Sequence, residues 1–140
     1  MNTDFQSEIK TIPHNQERVF EVLSDMSYLE NVKDKLPKDK VQDFSFDKDS
    51  CSFSVSPAGN IKFTIIEREF PKTIKFKADK APFDVFMWIQ LVESSSEETK
   101  MKLTVKADLN PFLKPMLSKP LQEGINKIAD VLAAIPYCNI

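Results

Sequence analysis

From residue 40 to residue 109 the hydrophobic pattern has a period of about two, and the alternation is clearest in two stretches. Within residues 73–79, Ile74, Phe76 and Ala78 alternate with polar residues, and residues 99–109 repeat the pattern with an aliphatic and a lysine-rich face. A period of two places successive side chains on opposite faces of a β-strand. The pattern predicts strands at 4–12, 41–47, 51–56, 60–69, 73–79, 83–92 and 99–109. In the first of these, Phe5, Ser7, Ile9 and Thr11 share one face.

The connections between the later strands are short and rich in turn-forming residues. They contain Lys-Asp-Ser at 48–50, Pro-Ala-Gly at 57–59 and a serine-rich turn at 94–98. Consecutive strands joined by short turns pair antiparallel. We therefore predict an antiparallel meander.

The predicted strand 83–92 is apolar on both faces. One face is aliphatic and the other carries Phe86, Trp88 and Gln90. We expect the aliphatic face inward, so that Phe86 and Trp88 form an outward patch of the kind that often marks a contact surface. The reverse orientation would place Trp88 and Gln90 inside as polar groups.

Two short helices are predicted between the first and second strands. Asn15 is a suitable N-cap, and the apolar residues that follow it have helical spacing. The first helix buries Val19, Val22, Leu23 and Met26. The second begins near Ser27, carries Leu29, Val32 and Leu36 inward, and ends at Pro37.

A long helix is predicted at the C-terminal end. Pro115 and Pro120 would each interrupt a straight helix, so we place the N-cap at Ser118, after an offset turn capped by Asn110, and the end at Ile135. Its apolar stripe comprises Leu117, Leu121, Ile125, Ile128, Leu132 and Ile135. Gly124 lies beside this stripe and faces the sheet. It permits either a close approach of helix and sheet or a wider space beneath the helix.

The order of these elements resembles the helix-grip fold of the START-like (SRPBCC) superfamily, which includes relatives of the birch-pollen allergen. The segments HNQERVFEVLSDMSYLE, EREFPKTIKFKAD, WIQL and LNPFLKPMLSKPLQEGINKIADVLAAIPY are similar to those of small bacterial polyketide cyclase/dehydrase-like members. The resemblance covers residues 1–140 as a single domain. It implies an α+β fold with a seven-stranded curved antiparallel sheet wrapped around the C-terminal helix, and two short helices between strands 1 and 2.

The resemblance also implies an apolar ligand cavity between the sheet and the last helix. The side chains expected to line it are Phe63, Ile65, Phe76, Met87, Ile89, Leu103, Val105, Leu121, Gly124, Ile125 and Ile128. The alternative is that the same side chains fill a closed core, as apolar residues usually do.

Composition narrows the choice of partners. The formal net charge is -2 and the lysines are spread along the chain, so we expect no nucleic-acid partner. The first residues do not resemble a signal peptide and no apolar run is long enough to span a bilayer. We therefore expect a cytoplasmic protein without membrane insertion.

Few residues offer catalytic or metal-binding chemistry. His14 is the only histidine, so we expect no metal and no cofactor. Cys51 and Cys138 lack CxxC spacing and are interpreted as buried thiols. Glu67 and Glu69 share the alternation of Phe63 and could point a carboxylate into the cavity, or they could lie at the exposed end of the strand.

Three functions remain open on the sequence. The leading hypothesis is a binding or carrier domain for a small apolar molecule, whether lipid-like, polyketide-like or aromatic. The second is a cyclase or dehydratase that uses the same cavity. The third is a protein-interaction module, like the chaperone-ATPase activators of this fold, which could form a homodimer through Phe86 and Trp88.

Overall fold

The computed structural model describes residues 2–30, 41–55, 59–79, 84–135 and 137. The strands are β1 (Asn2–Gln6), β2 (Lys10–Ile12), β3 (Val41–Phe46), β4 (Ser50–Val55), β5 (Gly59–Glu69), β6 (Thr73–Asp79), β7 (Val85–Ser95) and β8 (Glu98–Asp108). The helices are α1 (Gln16–Ser24), α2 (Ser27–Glu30) and α3 (Lys114–Ala133).

The strands form one antiparallel sheet. Its order is β1-β8-β7-β6-β5-β4-β3, and β2 also pairs with β8. From β3 to β8 each strand therefore lies beside its neighbours in sequence, and β1 returns to the far side of β8. The predicted antiparallel meander is confirmed.

The first predicted strand is divided into β1 and β2, so the sheet has eight strands and not seven. Gln6 lies opposite Thr104 and Lys10 opposite Met101, which leaves one extra residue on the β1–β2 side. An extra residue exchanges the two faces of the strand that follows it. Ile9 is therefore 67% exposed while Ile12 is fully buried, and the prediction that Ile9 and Thr11 share a face with Phe5 was wrong.

The first short helix has the predicted N-cap, and the described apolar residues predicted to face inward in both short helices are buried. The side-chain oxygen of Asn15 accepts a hydrogen bond from the Arg18 N–H at 2.7 Å and so caps α1. The apolar residues predicted for α1 are buried, as are Met26 and, in α2, Leu29. Val32 and Leu36, predicted for the second helix, lie outside the described residues.

The last helix begins four residues before the predicted N-cap. Starting at Lys114 places Pro115 in the first turn, where no backbone donor is needed, and leaves Pro120 inside the helix. The hydroxyl of Ser118 donates to the Lys114 carbonyl at 2.6 Å and does not cap the helix. Asn110 does cap the preceding turn, because its side-chain oxygen accepts from the Phe112 and Leu113 N–H groups. The helix ends at Ala133, two residues earlier than predicted.

One flank of α3 is held to β1, β2 and the residues between them by a polar seam. Three contacts form it: Gln122 donates to the Gln6 carbonyl, Asn126 accepts from the Glu8 N–H, and Asp130 pairs with Lys10. Four residues of a helix rise about 6 Å, and two residues of a strand rise about 6.7 Å. The spacing of the three α3 side chains therefore matches the spacing of their partners at residues 6, 8 and 10. The hydrogen bond to Asp130 is the main cause that raises the pKa of Lys10. The seam fixes the long helix along this edge of the sheet.

None of the helices that the structure describes has the length and apolar character needed to cross a bilayer.

Candidate functional site

The inner face of the sheet is an apolar surface. Four of its side chains form a row across neighbouring strands, with Ile65 opposite Phe76, Phe76 opposite Met87, and Met87 opposite Val105. Phe5 on β1 continues the row beyond Val105. All five are buried. The expected orientation of β7, with its aliphatic face inward, is confirmed.

A small apolar cavity lies between this surface and the C-terminal half of α3. Its volume is about 20 Å³, which is room for a single water-sized probe. The wall consists of Met26, Phe46, Cys51, Met87, Ile89, Ile128, Val131 and Leu132.

Three of the predicted ligand-contact residues, Met87, Ile89 and Ile128, line this cavity. The others lie elsewhere on the inner face or on α3: Phe63, Ile65, Phe76, Leu103, Val105, Leu121, Gly124 and Ile125. Leu121 is half-buried and the rest of these are buried. That any of these residues contacts a ligand remains a prediction.

Sequence reasoning missed five residues of the wall. They are Met26, Phe46, Cys51, Val131 and Leu132. One signal was available for Cys51, which pairs directly with the predicted residue Phe63 on the neighbouring strand. Leu132 belonged to the predicted stripe of α3. No sequence pattern indicates that Met26 and Phe46, outside the sheet's central strands, reach the same space.

The wall offers almost no acid–base chemistry. Among the wall residues that the structure describes, Cys51 carries the only ionisable group, a free thiol, and burial raises the pKa of that thiol to about 12. The thiol is therefore neutral at physiological pH, which makes it a poor nucleophile. The interpretation of Cys51 as a buried thiol is confirmed.

Buried polar side chains near the core have structural partners. Ser50 donates to the Asp47 carboxylate at 2.9 Å, and Thr99 donates to the His14 carbonyl at 2.8 Å. The Ser7 hydroxyl accepts from the Leu103 N–H at 2.9 Å and donates to the Glu8 carbonyl. These hydroxyls hold the β1–β2 junction and two turns together.

Thr3 differs from these residues. Its hydroxyl oxygen is buried and has no hydrogen-bond partner among the described residues. Thr3 lies opposite Ala107 and two residues before Phe5, so its side chain belongs to the inner face of the sheet. It is a polar group that an inner ligand could engage.

Glu67 and Glu69 lie outside the cavity. Ile65 is opposite Phe76 and Glu67 is opposite Lys75, so Ile66 is an extra residue that forms a bulge in β5. The bulge turns both carboxylates onto the outer face, where they are exposed. The second of the two sequence-based alternatives, an exposed strand end, is therefore correct.

His14 lies at the turn before α1 and is half-buried. Its ring stands 5.7 Å from that of Tyr137. Tyr137 is buried and donates through its hydroxyl to the Leu132 carbonyl at 2.7 Å. In the part of the chain that the structure describes, no three potential metal-ligating side chains come together.

Solved structures of other proteins share this fold. Norcoclaurine synthase from Thalictrum flavum superposes with a TM-score of 0.71, covering 95% of this chain and 85% of that one, at 12% identity. The chain has the helix-grip fold. The same helix-grip architecture is found in a START superfamily protein from Mycobacterium smegmatis (TM-score 0.65, 11% identity, 94% of both chains). A protein from Rhizobium loti shares it as well (TM-score 0.61, 18% identity, 96% of both chains).

At sequence level, no protein-family model and no curated protein matches the chain. The likeness of the solved structures therefore establishes the helix-grip fold and leaves the activity to be argued from the site. It bears out the resemblance to the START-like superfamily at the level of the fold.

Proposed function

We propose that this protein is a binding or carrier domain for a small apolar molecule, held between α3 and the inner face of the sheet. The observation that carries the proposal is the apolar cavity at that place, with aliphatic, aromatic and sulfur-containing walls. Such a wall offers a ligand dispersion contacts and removal from water, and few polar contacts.

The cavity must expand to admit a ligand, because about 20 Å³ holds only one water-sized probe and ligand pockets usually measure several hundred Å³. Two features favour expansion. Met26 and Met87, both in the wall, have flexible side chains that repack readily. In addition, the N-terminal half of α3 is less deeply buried than the C-terminal half: Leu117 and Leu121 are half-buried, whereas Ile125 and Ala129 are buried. We place the entrance beneath that half of α3.

The structural comparisons support a ligand of modest size. Norcoclaurine synthase has been solved in complex with dopamine and hydroxybenzaldehyde, both small aromatic molecules. An aromatic ligand is accordingly one of three classes that we propose for this chain, beside lipid-like and polyketide-like molecules.

The enzymatic alternative, a cyclase or dehydratase, has less support. Proton transfer needs a polar side chain within hydrogen-bonding reach of the substrate. The described wall contributes only a neutral thiol, and Glu67 and Glu69 lie on the outer face. Of the buried polar side-chain atoms that the structure describes, only the Thr3 hydroxyl lacks a hydrogen-bond partner, and a hydroxyl alone is a weak general base.

Filling the cavity tests the proposal. Val131→Ile adds one methylene at the wall, which should leave stability unchanged or raise it by up to about 1 kcal/mol. It should also weaken binding of the apolar fluorescent probe N-phenyl-1-naphthylamine about tenfold, because the added group occupies the space that binding must enlarge. Probe fluorescence and urea denaturation measure the two effects.

Val19→Ile is the matched control, since Val19 is fully buried in α1 and does not line the cavity. We expect this control to lose about 1 kcal/mol by overpacking and to keep the affinity for the probe. A wild-type protein that does not bind the probe, or a Val131→Ile variant that binds it unchanged, would contradict the proposal.

A further inference from the structure

The outer face of β6, β7 and β8 carries a basic aromatic patch. It consists of Lys75, Lys77, Phe86, Trp88, Lys102 and Lys106. The strand stretches that form it, residues 73–77, 86–90 and 102–106, contain no aspartate or glutamate. The formal net charge of the chain is -2, so this local excess of lysines is opposite in sign to the charge of the chain as a whole.

The lysines of β6 cover the aromatic rings of β7. Lys75 lies opposite Trp88, and Lys77 lies opposite Phe86. The Lys75 ammonium nitrogen is 5.1 Å from the Phe86 ring centre and 5.3 Å from that of Trp88, and the Lys77 nitrogen is 5.9 Å from Phe86. These are cation–π distances. Contact with the half-buried rings therefore holds two ammonium groups above the sheet.

The other side of the rings is also basic. On β8, Lys106 lies opposite Phe86 and Lys102 opposite Gln90. Carboxylates occur at the borders of the patch, with Glu67 opposite Lys75 on β5 and Asp4 opposite Lys106 on β1. The centre of the outer face is thus cationic and its edges are mixed.

We propose that the basic aromatic patch docks an acidic segment of a partner protein. Carboxylates of the segment would contact the lysines, and its apolar groups would lie on Phe86 and Trp88. Charge complementarity supports an acidic partner, because opposite electrostatic potentials across an interface select the partner and speed its association. The patch lies on the opposite side of the sheet from the cavity, so the proposal does not depend on the proposed ligand.

A second copy of this chain fits the patch poorly. A two-fold symmetric dimer through Phe86 and Trp88 places the same patch on both sides of the interface. The four lysines of one protomer would then face four lysines of the other, and such like-charge contacts oppose association. The homodimer through Phe86 and Trp88, which the sequence left open, is therefore disfavoured.

Single-stranded nucleic acid also fits less well. Its affinity for a sheet surface rests on bases stacked upon open aromatic rings. Here Lys75 lies over both rings, so stacking would have to displace a cation–π contact. A carboxylate can contact the same ammonium group where it lies.

Trp88 is the only tryptophan, so its fluorescence reports on the patch directly. Titration with an oligoglutamate peptide should change Trp88 emission, and raising the salt concentration should weaken the binding. Lys102→Glu combined with Lys106→Glu should weaken it about tenfold or more and preserve the thermal melting curve. Lys114→Glu combined with Lys119→Glu is the matched control, because both lysines are exposed on α3, across the sheet from the patch; this control should bind oligoglutamate as the wild type does.

Four outcomes would overturn the proposal. Two of them are an unchanged Trp88 emission on titration with oligoglutamate, and equal affinity of oligoglutamate for the double variant and the wild type. Oligothymidylate binding more tightly than oligoglutamate under the same conditions would identify a nucleic-acid surface instead. A wild-type dimer in sedimentation that Trp88→Asp dissociates would identify the patch as an interface between copies of this chain.

Discussion

At the scale of single residues, Cys51 joins the core of the sheet to the cavity wall. It pairs with Phe63 on β5 and is buried, and this burial raises the pKa of its thiol to about 12. In the unfolded chain the thiol meets water and titrates near its ordinary value. The folded state therefore binds a proton that the unfolded state releases in alkaline solution.

This difference predicts how stability depends on pH. A pKa that is raised by folding contributes stability in full below the unfolded value, and that contribution is lost as pH rises toward the folded value. Between about pH 9 and pH 12, the free energy of unfolding should fall more steeply for the wild type than for Cys51→Ala. Urea denaturation at several pH values measures both slopes. Tyr137, whose pKa burial also raises, contributes to both proteins, so equal slopes would contradict the role given to Cys51.

Residue orientation was predictable where a strand is uninterrupted. In β6 and β8 the alternation of the sequence matches the buried and exposed sides along the whole length. The alternation gave the wrong orientation for Ile9 and did not decide the orientation of Glu67. Each of these residues follows a single extra residue that exchanges the inner and outer faces of the strand. Whether a strand has such an extra residue depends on how it pairs with the neighbouring strand. The alternation along a single strand gives no information about this pairing.

At the scale of elements, Gly124 on α3 bears on how closely the helix approaches the sheet. It is buried but does not line the described cavity, which favours the close-approach interpretation. Gly124→Leu should then cost about 1–3 kcal/mol of stability through overpacking, even though leucine is the better helix former. Urea denaturation measures this cost.

Lys119→Leu provides the control for Gly124→Leu, because it introduces the same side chain at an exposed position of α3. We expect it to change stability by less than about 0.5 kcal/mol. If Gly124→Leu keeps its stability and loses affinity for N-phenyl-1-naphthylamine, the glycine instead opens the ligand space.

The number and order of elements were largely predictable, and the ends of α3 were not. Pro120 suggested a later start because an interior proline removes a hydrogen bond. In the structure the helix contains that proline and begins at Lys114, four residues before the predicted N-cap, and Asn110 caps the preceding turn. The contacts of α3 with the edge of the sheet, at Gln122, Asn126 and Asp130, help hold the helix in place. Such tertiary contacts outweigh a local propensity but leave no local signature in the sequence.

At the scale of the whole molecule, the sheet presents two surfaces of opposite chemistry. Its inner face is apolar and covered by α3, and the centre of its outer face is basic. β7 belongs to both, because Met87 and Ile89 line the cavity while Phe86 and Trp88 point outward. The alternation of residues along β7 predicted which of its side chains face inward and which face outward. The size of the cavity was not predictable, because it depends on how side chains from β3, from α3 and from the turn between α1 and α2 meet.

The proposed ligand gives a prediction for the intact protein. Native mass spectrometry of the protein purified from its own source should detect a bound apolar molecule, and organic extraction should remove it. A ligand present at about 100 times its dissociation constant stabilises the folded state by about 2.7 kcal/mol. The extracted protein should therefore melt about 5–10 °C lower and recover when the extract is returned. Protein found only at its own mass, with the same melting temperature before and after extraction, would mean that the small cavity is a feature of a closed core.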